Sequence, residues 1–236
     1  MSEPRDIWAV VPIKEVDGAK QRLSALLTQE QRRTLAATMA EDVLDALSQV
    51  RSLAGILVVT LDPAATRLAQ RFGVRVVTDG ARDGHTGAVT AAARLLRREG
   101  KGGMLQVPGD IPRITAAEVE AVLAEHRPAP SFTIAAAHDE RGSNAVLLTP
   151  PDAMPLRFGD DSFFPHLDAA RAHGIEPSVL HLPGIGMDID HPADLAMFLR
   201  MTPRVPTRTL AWLEESGVAR VVLDSSAASP SPNPLP

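Results

Sequence analysis

The sequence predicts a single α/β domain built on a mostly parallel β-sheet with helices on both faces. Apolar runs of strand length alternate with segments of helical periodicity up to about residue 127, which is the order that a doubly wound sheet requires. The chain has 236 residues, enough for one large core. Hydrophobic residues make up 44% of the chain but aromatic residues only 3%, so we expect an aliphatic core. Beyond residue 127 the alternation becomes irregular, which indicates an extra subregion over one end of the sheet.

The first half of the chain contains clear helix-start signals between its apolar runs. Thr28 and Gln31 form a capping box before a segment whose apolar residues recur every three or four positions. Asp62 followed by Pro63 is typical of a helix N-cap and first helical residue. The elements predicted here are strands at 7–13, 55–60, 74–77 and 103–107, and helices at 28–50, 63–71, 86–98 and 115–125, the last with a Thr115–Glu118 capping box.

The second half of the chain gives weaker signals. We expect one domain over residues 1–223, and a disordered tail over 224–236 because that stretch is rich in Ser and Pro. The elements predicted here are strands at 132–137 and 145–148, extended pieces at 179–182 and 187–189, and helices at 160–172, 191–200 and about 207–215.

Composition excludes several classes of function. The formal net charge is −5, which disfavours a nucleic-acid surface because such a surface needs a basic face. No run of about 18 apolar residues predicts a membrane span, and the polar start of the chain lacks a signal-peptide pattern. The absence of Cys excludes disulfides, thiolate metal sites and cysteine nucleophiles. We therefore expect a cytoplasmic protein; its oligomeric state cannot be read from the sequence.

Basic residues follow the first strand. Ligands of an open α/β sheet bind beyond the carboxyl ends of its strands, and there the chain carries Pro12, Lys14, Lys20 and Arg22. Lys ammonium groups and the Arg fork suit a triphosphate, although a solvated basic loop gives the same pattern. The segment matches neither the GxxxxGK[ST] phosphate loop nor GxGxxG.

Acidic residues follow two later strands. Pro108 and Gly109 form a stiff turn that places Asp110 at the edge of the sheet. In an extended segment Asp188 and Asp190 point to the same side, and Mg²⁺ binds one or two such carboxylates together with waters and phosphate oxygens. We therefore expect a magnesium site at Asp110, Asp188 and Asp190. The alternatives are that Asp110 only forms a turn, that Asp190 caps the following helix and that Asp188 is solvated.

Two polar, Gly-containing segments lie between these acidic positions. Residues 141–144 and 157–163 are both predicted to be loops that could offer backbone and hydroxyl donors to a carboxylate or phosphate, with ordinary turns as the alternative. His166 is expected on the following helix, either near a ligand or packed. The other His residues lack metal-ligand spacing, and no Ser-His-Asp order or GxSxG elbow occurs.

Taken in order, these segments resemble the CofC/FbiD family of phospho-acid guanylyltransferases, which contributes to biosynthesis of the deazaflavin coenzyme F-420. The resemblance covers roughly residues 7–200. The motifs that carry it are Val11-Pro12-Ile13-Lys14, Ala19-Lys20-Gln21-Arg22-Leu23, Pro108-Gly109-Asp110-Ile111-Pro112, Phe158-Gly159-Asp160-Asp161-Ser162-Phe163 and Asp188-Ile189-Asp190-His191-Pro192-Ala193-Asp194-Leu195.

The resemblance implies a Rossmann-like nucleotidyltransferase fold, similar to that of nucleotide-diphospho-sugar transferases. It also implies that GTP lies over the first strand turn and Pro108-Gly109, and that Mg²⁺ is held by Asp110, Asp188 and Asp190. Asn144, Gly159 and Ser162 fall where the family binds its phospho-acid. The product of such an enzyme is expected to pass to a downstream transferase.

The segment before the third helix departs from the family pattern. Family members usually carry Gly-Leu-Asn there, whereas this chain has Gly84-His85-Thr86. Thr86 is therefore expected at the nucleotide without the amide that Asn would supply, and the preference for guanine becomes a point to test.

The expected reaction is an in-line transfer in which the acceptor phosphate attacks the α-phosphorus of GTP and pyrophosphate leaves. Positioning and charge neutralisation would do most of this work, with Lys14, Lys20 and Asp110 as the catalytic residues and Arg22 assisting. The acceptor is left open among 2-phospho-L-lactate, phosphoenolpyruvate and 3-phospho-D-glycerate. Three other functions stay open: a related transferase acting on a molybdenum cofactor or sugar phosphate, a metal-dependent glycosyltransferase, and a non-catalytic GTP-binding protein.

Overall fold

The chain folds around one seven-stranded sheet. The computed structural model describes residues 6–14, 20–159 and 161–228. The strand order is β3-β2-β1-β4-β6-β5-β7. The strands are β1 (Ile7–Pro12), β2 (Gly55–Val59), β3 (Arg75–Val77), β4 (Gly103–Gln106), β5 (Ser131–Ala136), β6 (Ser143–Thr149) and β7 (Ser178–Leu180).

The sheet is parallel except at β6, which runs antiparallel to both β4 and β5. The reversal follows from chain length, because residues 137–142 are too few to make the crossover that a parallel pair needs. The predicted mostly parallel α/β fold is confirmed. The reversed strand has a functional consequence, because the first residues of β6 lie at the edge where β1, β4 and β5 end.

The helices are α1 (Gln29–Ser48), α2 (Pro63–Arg71), α3 (Gly84–Arg98), α4 (Ala116–Glu125), α5 (Phe163–Ala172), α6 (Pro192–Arg200), α7 (Arg208–Glu215) and α8 (Val218–Ala228). Helices α1, α2 and α4 begin where the capping signals of the sequence predicted. The capping boxes at Thr28 and Thr115 are both present, and Asp62 accepts hydrogen bonds from two N–H groups of the first turn of α2. These side chains satisfy donors that have no partner within the helix.

The two faces of the sheet are covered by different helices. Alternate side chains of a strand point to opposite faces, so Ala9 and Val11 pack in a cluster with α1 and α4, whereas Val10 packs in one with α3 and α5. A third cluster joins the first half of α1 to α6, α7 and α8. Asp42 of α1 fixes this join, since its buried carboxylate accepts hydrogen bonds from the N–H groups of Arg208 and Thr209.

Several predicted boundaries were wrong. Strand β6 begins at Ser143, so Ser143 and Asn144 belong to a strand and not to the predicted loop. Helix α5 begins at Phe163 and not at residue 160. Helix α8 was not predicted and continues to Ala228, five residues beyond the expected domain end at 223; its Val218 and Val222 are buried against the third cluster. The rest of the expected tail lies outside the described residues. None of the described helices is long and apolar enough to cross a membrane.

Candidate active site

A cleft of about 1640 Å³ opens along the edge where β1, β4 and β5 end and β6 begins. Each residue to which the sequence assigned a role lines this cleft, although the roles themselves stay predictions. These residues are Pro12, Lys14, Lys20, Arg22, Thr86, Pro108, Gly109, Asp110, Asn144, Gly159, Ser162, Asp188 and Asp190.

Lys20 forms the ionic centre of the cleft. Its Nζ lies 2.6 Å from Asp110 Oδ2 and 2.7 Å from Asp190 Oδ1, and its side chain is only 8% exposed. The backbone of Lys20 is left-handed, with φ at 52°, at the start of the short 3-10 helix Gln21–Leu23. Burial lowers the pKa of Lys20, but the charges and hydrogen bonds of both carboxylates outweigh it, so the pKa is raised. Lys20 therefore remains an ammonium that joins the basic segment to the acidic one.

Asn144 links the acidic segment to the part of the cleft lined by the hydroxyl groups of Ser143 and Ser162, here called the hydroxyl-bearing wall. Its Nδ2 donates to Asp188 Oδ1 at 2.9 Å and to the carbonyl of Ile185 at 3.0 Å. Burial raises the pKa of Asp188, and the nearby charges of Asp110 and Asp190 raise it further. Negative charge is therefore concentrated on this side of the cleft beyond what Lys20 alone neutralises.

The carboxylates offer suitable chemistry for Mg²⁺ but are not assembled around a metal position. Within residues 6–14, 20–159 and 161–228, no group of three or more His, Cys, Asp or Glu is arranged to hold a metal. Asp110 and Asp190 are both engaged by Lys20, and Asp188 by Asn144. Mg²⁺ usually takes one or two carboxylates and completes its shell with waters and substrate phosphates, so this donor set fits a metal that arrives with a nucleotide.

Asp190 does not cap the helix that follows it, although the sequence left that alternative open. His191 is the N-cap of α6, and Asp194 accepts hydrogen bonds from the N–H groups of Asp190 and His191 at 2.9 and 2.7 Å. Asp190 is therefore not the cap, and its carboxylate faces Lys20 and Arg22 instead. The Arg22 guanidinium is half exposed and lies 3.9 Å from Asp190. Sequence reasoning overlooked Asp194, although an acidic residue three positions after an N-cap is a known capping signal.

Thr86 holds a loop of the protein itself. Its hydroxyl accepts from the N–H of Phe158 at 3.0 Å and donates to the carbonyl of Phe158 at 3.4 Å. The Thr86 hydroxyl thus ties the start of α3 to the segment that carries Gly159. The contact between Thr86 and the nucleotide stays a prediction. In this structure the Thr86 hydroxyl is hydrogen-bonded to the backbone of Phe158.

His85 also lines the cleft, although sequence reasoning set it aside for lack of metal spacing. Its ring lies 4.6 Å from that of Phe158, and its Nε2 is 3.1 Å from Nε2 of Gln106. Burial lowers the pKa of His85 to about 4, with Asp110 opposing and Lys14 adding to that effect. His85 is therefore a neutral imidazole beside the ionic centre. Its place directly after the first helical glycine could have drawn attention to it.

His166 is buried behind the cleft residue Ser143, which is the packed position that one of the two sequence alternatives predicted. Nε2 of His166 accepts from the N–H of Arg157 at 3.0 Å, and its Nδ1 lies 2.9 Å from Ser143 Oγ. Ser162 donates to Ser143 at 3.0 Å. The sequence named Ser143 only within a loop that could offer hydroxyl donors, and of that loop only Asn144 was predicted as a site residue.

The pH dependence of stability should report on His166. Burial lowers its pKa to about 4 from an ordinary value of 6.5, with His85 adding to the effect. As the pH falls, the imidazole is protonated in the unfolded chain before it is protonated in the folded protein. The contribution of neutral His166 to the free energy of unfolding is therefore complete above pH 6.5 and is lost as the pH falls towards 4. We expect His166→Asn to reduce the pH slope of the unfolding free energy in this window by up to about 1.4 kcal/mol per pH unit. Urea unfolding at a series of pH values measures this, and equal slopes in both proteins would contradict it.

Comparison with solved structures identifies the fold. A crystal structure from Desulfovibrio desulfuricans G20, described as a nucleotide-diphospho-sugar transferase, matches with a TM-score of 0.73 at 17% identity, covering 91% of this chain and 97% of that one. A 4-diphosphocytidyl-2C-methyl-D-erythritol synthase from Anaerococcus prevotii matches with a TM-score of 0.56 at 12% identity, covering 90% of this chain and 100% of the other. The predicted Rossmann-like nucleotidyltransferase fold is confirmed.

Comparison with curated protein sequences identifies the family. A phosphoenolpyruvate guanylyltransferase from Rubrobacter xylanophilus is 38% identical over 193 residues, which cover 80% of this chain and 92% of that protein. A 3-phospho-D-glycerate guanylyltransferase from Colwellia psychrerythraea is 33% identical over 196 residues, which cover 83% of this chain and 92% of that protein. The family model described as guanylyl transferase CofC-like matches residues 7–213. The chain belongs to the CofC-like family of guanylyl transferases.

Proposed function

We propose that the protein moves GMP from GTP to the phosphate of a small phosphorylated carboxylic acid and releases pyrophosphate. One observation carries this proposal: a single cleft joins basic, acidic and hydroxyl-bearing segments that are far apart in the chain, with Lys20 fixed between Asp110 and Asp190. Such a cleft suits a reaction that must hold two anions together. A non-catalytic GTP-binding protein would not need the hydroxyl-bearing wall.

The chemistry needs positioning more than proton transfer. An oxygen of the acceptor phosphate forms a bond to the α-phosphorus of GTP, while the bond from that phosphorus to the oxygen bridging to the β-phosphate breaks, and pyrophosphate leaves with the electron pair. The acceptor phosphate is anionic near neutral pH, so no strong general base is required. In transfers of this kind the protein contributes mainly alignment and preorganised charge.

The residues of the ionic centre have distinct roles in this proposal. Lys14 and Lys20 steady the triphosphate and the charge that develops on the leaving group, with Arg22 at the exposed side. Asp110, Asp188 and Asp190 would hold Mg²⁺, which supplies charge neutralisation between the two phosphates. Pro12, Pro108 and Gly109 bound the nucleotide side of the cleft.

Phosphoenolpyruvate is the acceptor that we propose first. Three relatives that are 34–38% identical to this chain are named phosphoenolpyruvate guanylyltransferases, whereas the relative named for 3-phospho-D-glycerate is 33% identical. Asn144, Gly159 and Ser162 would bind this acid. By family resemblance the product would enter coenzyme F-420 biosynthesis through a downstream transferase.

Pyrophosphate release tests the proposal. The purified protein is supplied with Mg²⁺ and either GTP or ATP, each with phosphoenolpyruvate, 2-phospho-L-lactate or 3-phospho-D-glycerate. We expect release with GTP and phosphoenolpyruvate. Release with ATP and an acid, but not with GTP and any acid, would overturn the guanylyl assignment. It would also indicate that the Gly84–Thr86 departure changes the base preference. Absence of release from every combination by folded protein would reject the transferase reaction.

A further inference from the structure

A buried chain of hydrogen bonds runs from His166 through Ser143 to Ser162 and ends at the hydroxyl-bearing wall of the cleft. His166, Ser143 and Ser162 are 1%, 7% and 3% exposed, yet both Ser residues line the cleft. His166 sits on α5 and Ser143 at the start of β6, and Ser162 is the N-cap of α5, although its side chain makes no capping hydrogen bond there. The Ser162 hydroxyl is therefore available for another purpose.

The protons in this chain can be assigned from the contacts. Nε2 of His166 accepts the N–H of Arg157, so the proton of the neutral ring is on Nδ1. That N–H points at Ser143 Oγ and can only donate. The bond between Ser143 and Ser162 consumes one of the two hydroxyl protons, whichever Ser donates it. One hydroxyl proton is left over, and no acceptor among the described residues receives it. The pair therefore presents one O–H donor to the cleft.

The position of the pair indicates which end of a ligand it meets. Ser143 and Asn144 are consecutive strand residues, so their side chains leave opposite faces of β6. Asn144 reaches Asp188 on the side of the ionic centre, whereas Ser143 reaches His166 on the side of α5. A phospho-acid with its phosphate at the ionic centre would place its carboxylate on the Ser143 side. An ionised carboxylate only accepts hydrogen bonds, which matches a wall that offers a donor.

We propose that His166 is a positioning residue for the acceptor: through Ser143 it sets the Ser143–Ser162 pair as a hydrogen-bond donor to the carboxylate of the phospho-acid. This inference rests on the proposed function and adds to it a residue that acts without touching the ligand. The carboxylate is then recognised by the uncharged chain His166–Ser143–Ser162 and not by a cationic side chain.

Two substitutions separate the two nitrogens of His166. In His166→Asn the side-chain amide takes the place of Nδ1 and keeps the donor to Ser143. In His166→Gln the amide lies near the place of Nε2 and keeps the contact to Arg157 but not the one to Ser143. We expect His166→Gln to raise the KM for phosphoenolpyruvate about tenfold, with kcat and the KM for GTP little changed. His166→Asn should stay close to wild type.

Alternative outcomes are distinct. Equal KM values for phosphoenolpyruvate in folded His166→Gln and wild type would overturn the inference while leaving the proposed function standing. The same would follow if both variants raised the KM for GTP and the KM for the acid alike, because that is what a general packing defect would do.

A measurement on the wild-type protein covers the case in which neither variant folds. The Nδ1–H of His166 is followed by ¹⁵N-resolved NMR, with phosphoenolpyruvate and GTP added separately. We expect the resonance to move with phosphoenolpyruvate and not with GTP, because a carboxylate at the Ser pair polarises this chain of hydrogen bonds. An unmoved resonance would overturn the inference. A moved resonance without turnover would reject the transfer reaction but keep the acid site.

Discussion

Replacement of Asp190 by Ala is expected to lower kcat for pyrophosphate release by about 100-fold or more while the protein stays folded. The carboxylate lies 2.7 Å from Lys20 Nζ. Burial raises its pKa, but the charge and hydrogen bond of Lys20, together with the charges of Arg22 and His191, outweigh burial and lower the pKa, so that it remains ionised. The start of α6 does not depend on this side chain, because Asp194 accepts the N–H groups there. Steady-state kinetics with GTP and phosphoenolpyruvate measures the loss.

Asp224→Ala is the matched control for Asp190→Ala. The Asp224 side chain is 75% exposed on α8 and lies 3.8 Å from Arg220. Its kcat should equal that of wild type. If folded Asp190→Ala also retained wild-type kcat, Asp190 would have no place in the mechanism, whatever its contact with Lys20.

Lys20→Met is expected to reduce both turnover and stability. Met has a similar length and no charge, so Asp110 and Asp190 would face each other without the ammonium between them. We expect kcat to fall by about 100-fold. Removing one partner of a fully buried ion pair costs about 3–5 kcal/mol, but the carboxylates are 29% and 41% exposed. Water screens them, so the free energy of unfolding should fall by roughly 1–2 kcal/mol, measured by urea unfolding.

Lys101→Met provides the control within the same residue type. Lys101 precedes β4 at the opposite edge of the sheet, where its Nζ lies 3.3 Å from Asp6. Its substitution should leave kcat unchanged. A Lys20→Met protein with the turnover of wild type would show that the ammonium is not needed for transfer, and the ionic centre would then be a structural feature only.

The sequence predicted those parts of the fold that depend on local chemistry. The helix starts at Thr28, Asp62 and Thr115 were correct because each depends on a side chain that reaches N–H groups only two or three residues away. The unpredicted helix α8 depends on partners far along the chain. Val222 of α8, for example, is buried in the cluster that includes Leu35 of α1, and no local pattern reveals such a partner.

The site shows the same division. Residues that follow strands could be placed in one cleft because the carboxyl ends of parallel strands share an edge. Lys20 could be named as basic, but its bridge between two carboxylates depends on segments 90 and 170 residues away. Ser143 was considered only as a loop residue, because a polar pair after Gly142 resembles a loop, whereas the ladder with β5 makes it the start of a strand.

The fate of the α-phosphorus of GTP tests the central claim most directly. The acceptor panel is repeated with GTP labelled at that atom, and the products are separated and identified by mass. We predict that the label appears in a compound containing guanosine monophosphate joined to phosphoenolpyruvate, in amounts equal to the unlabelled pyrophosphate released. Label recovered only as GMP or GDP, or only in unreacted GTP, from folded protein with Mg²⁺ would contradict guanylyl transfer.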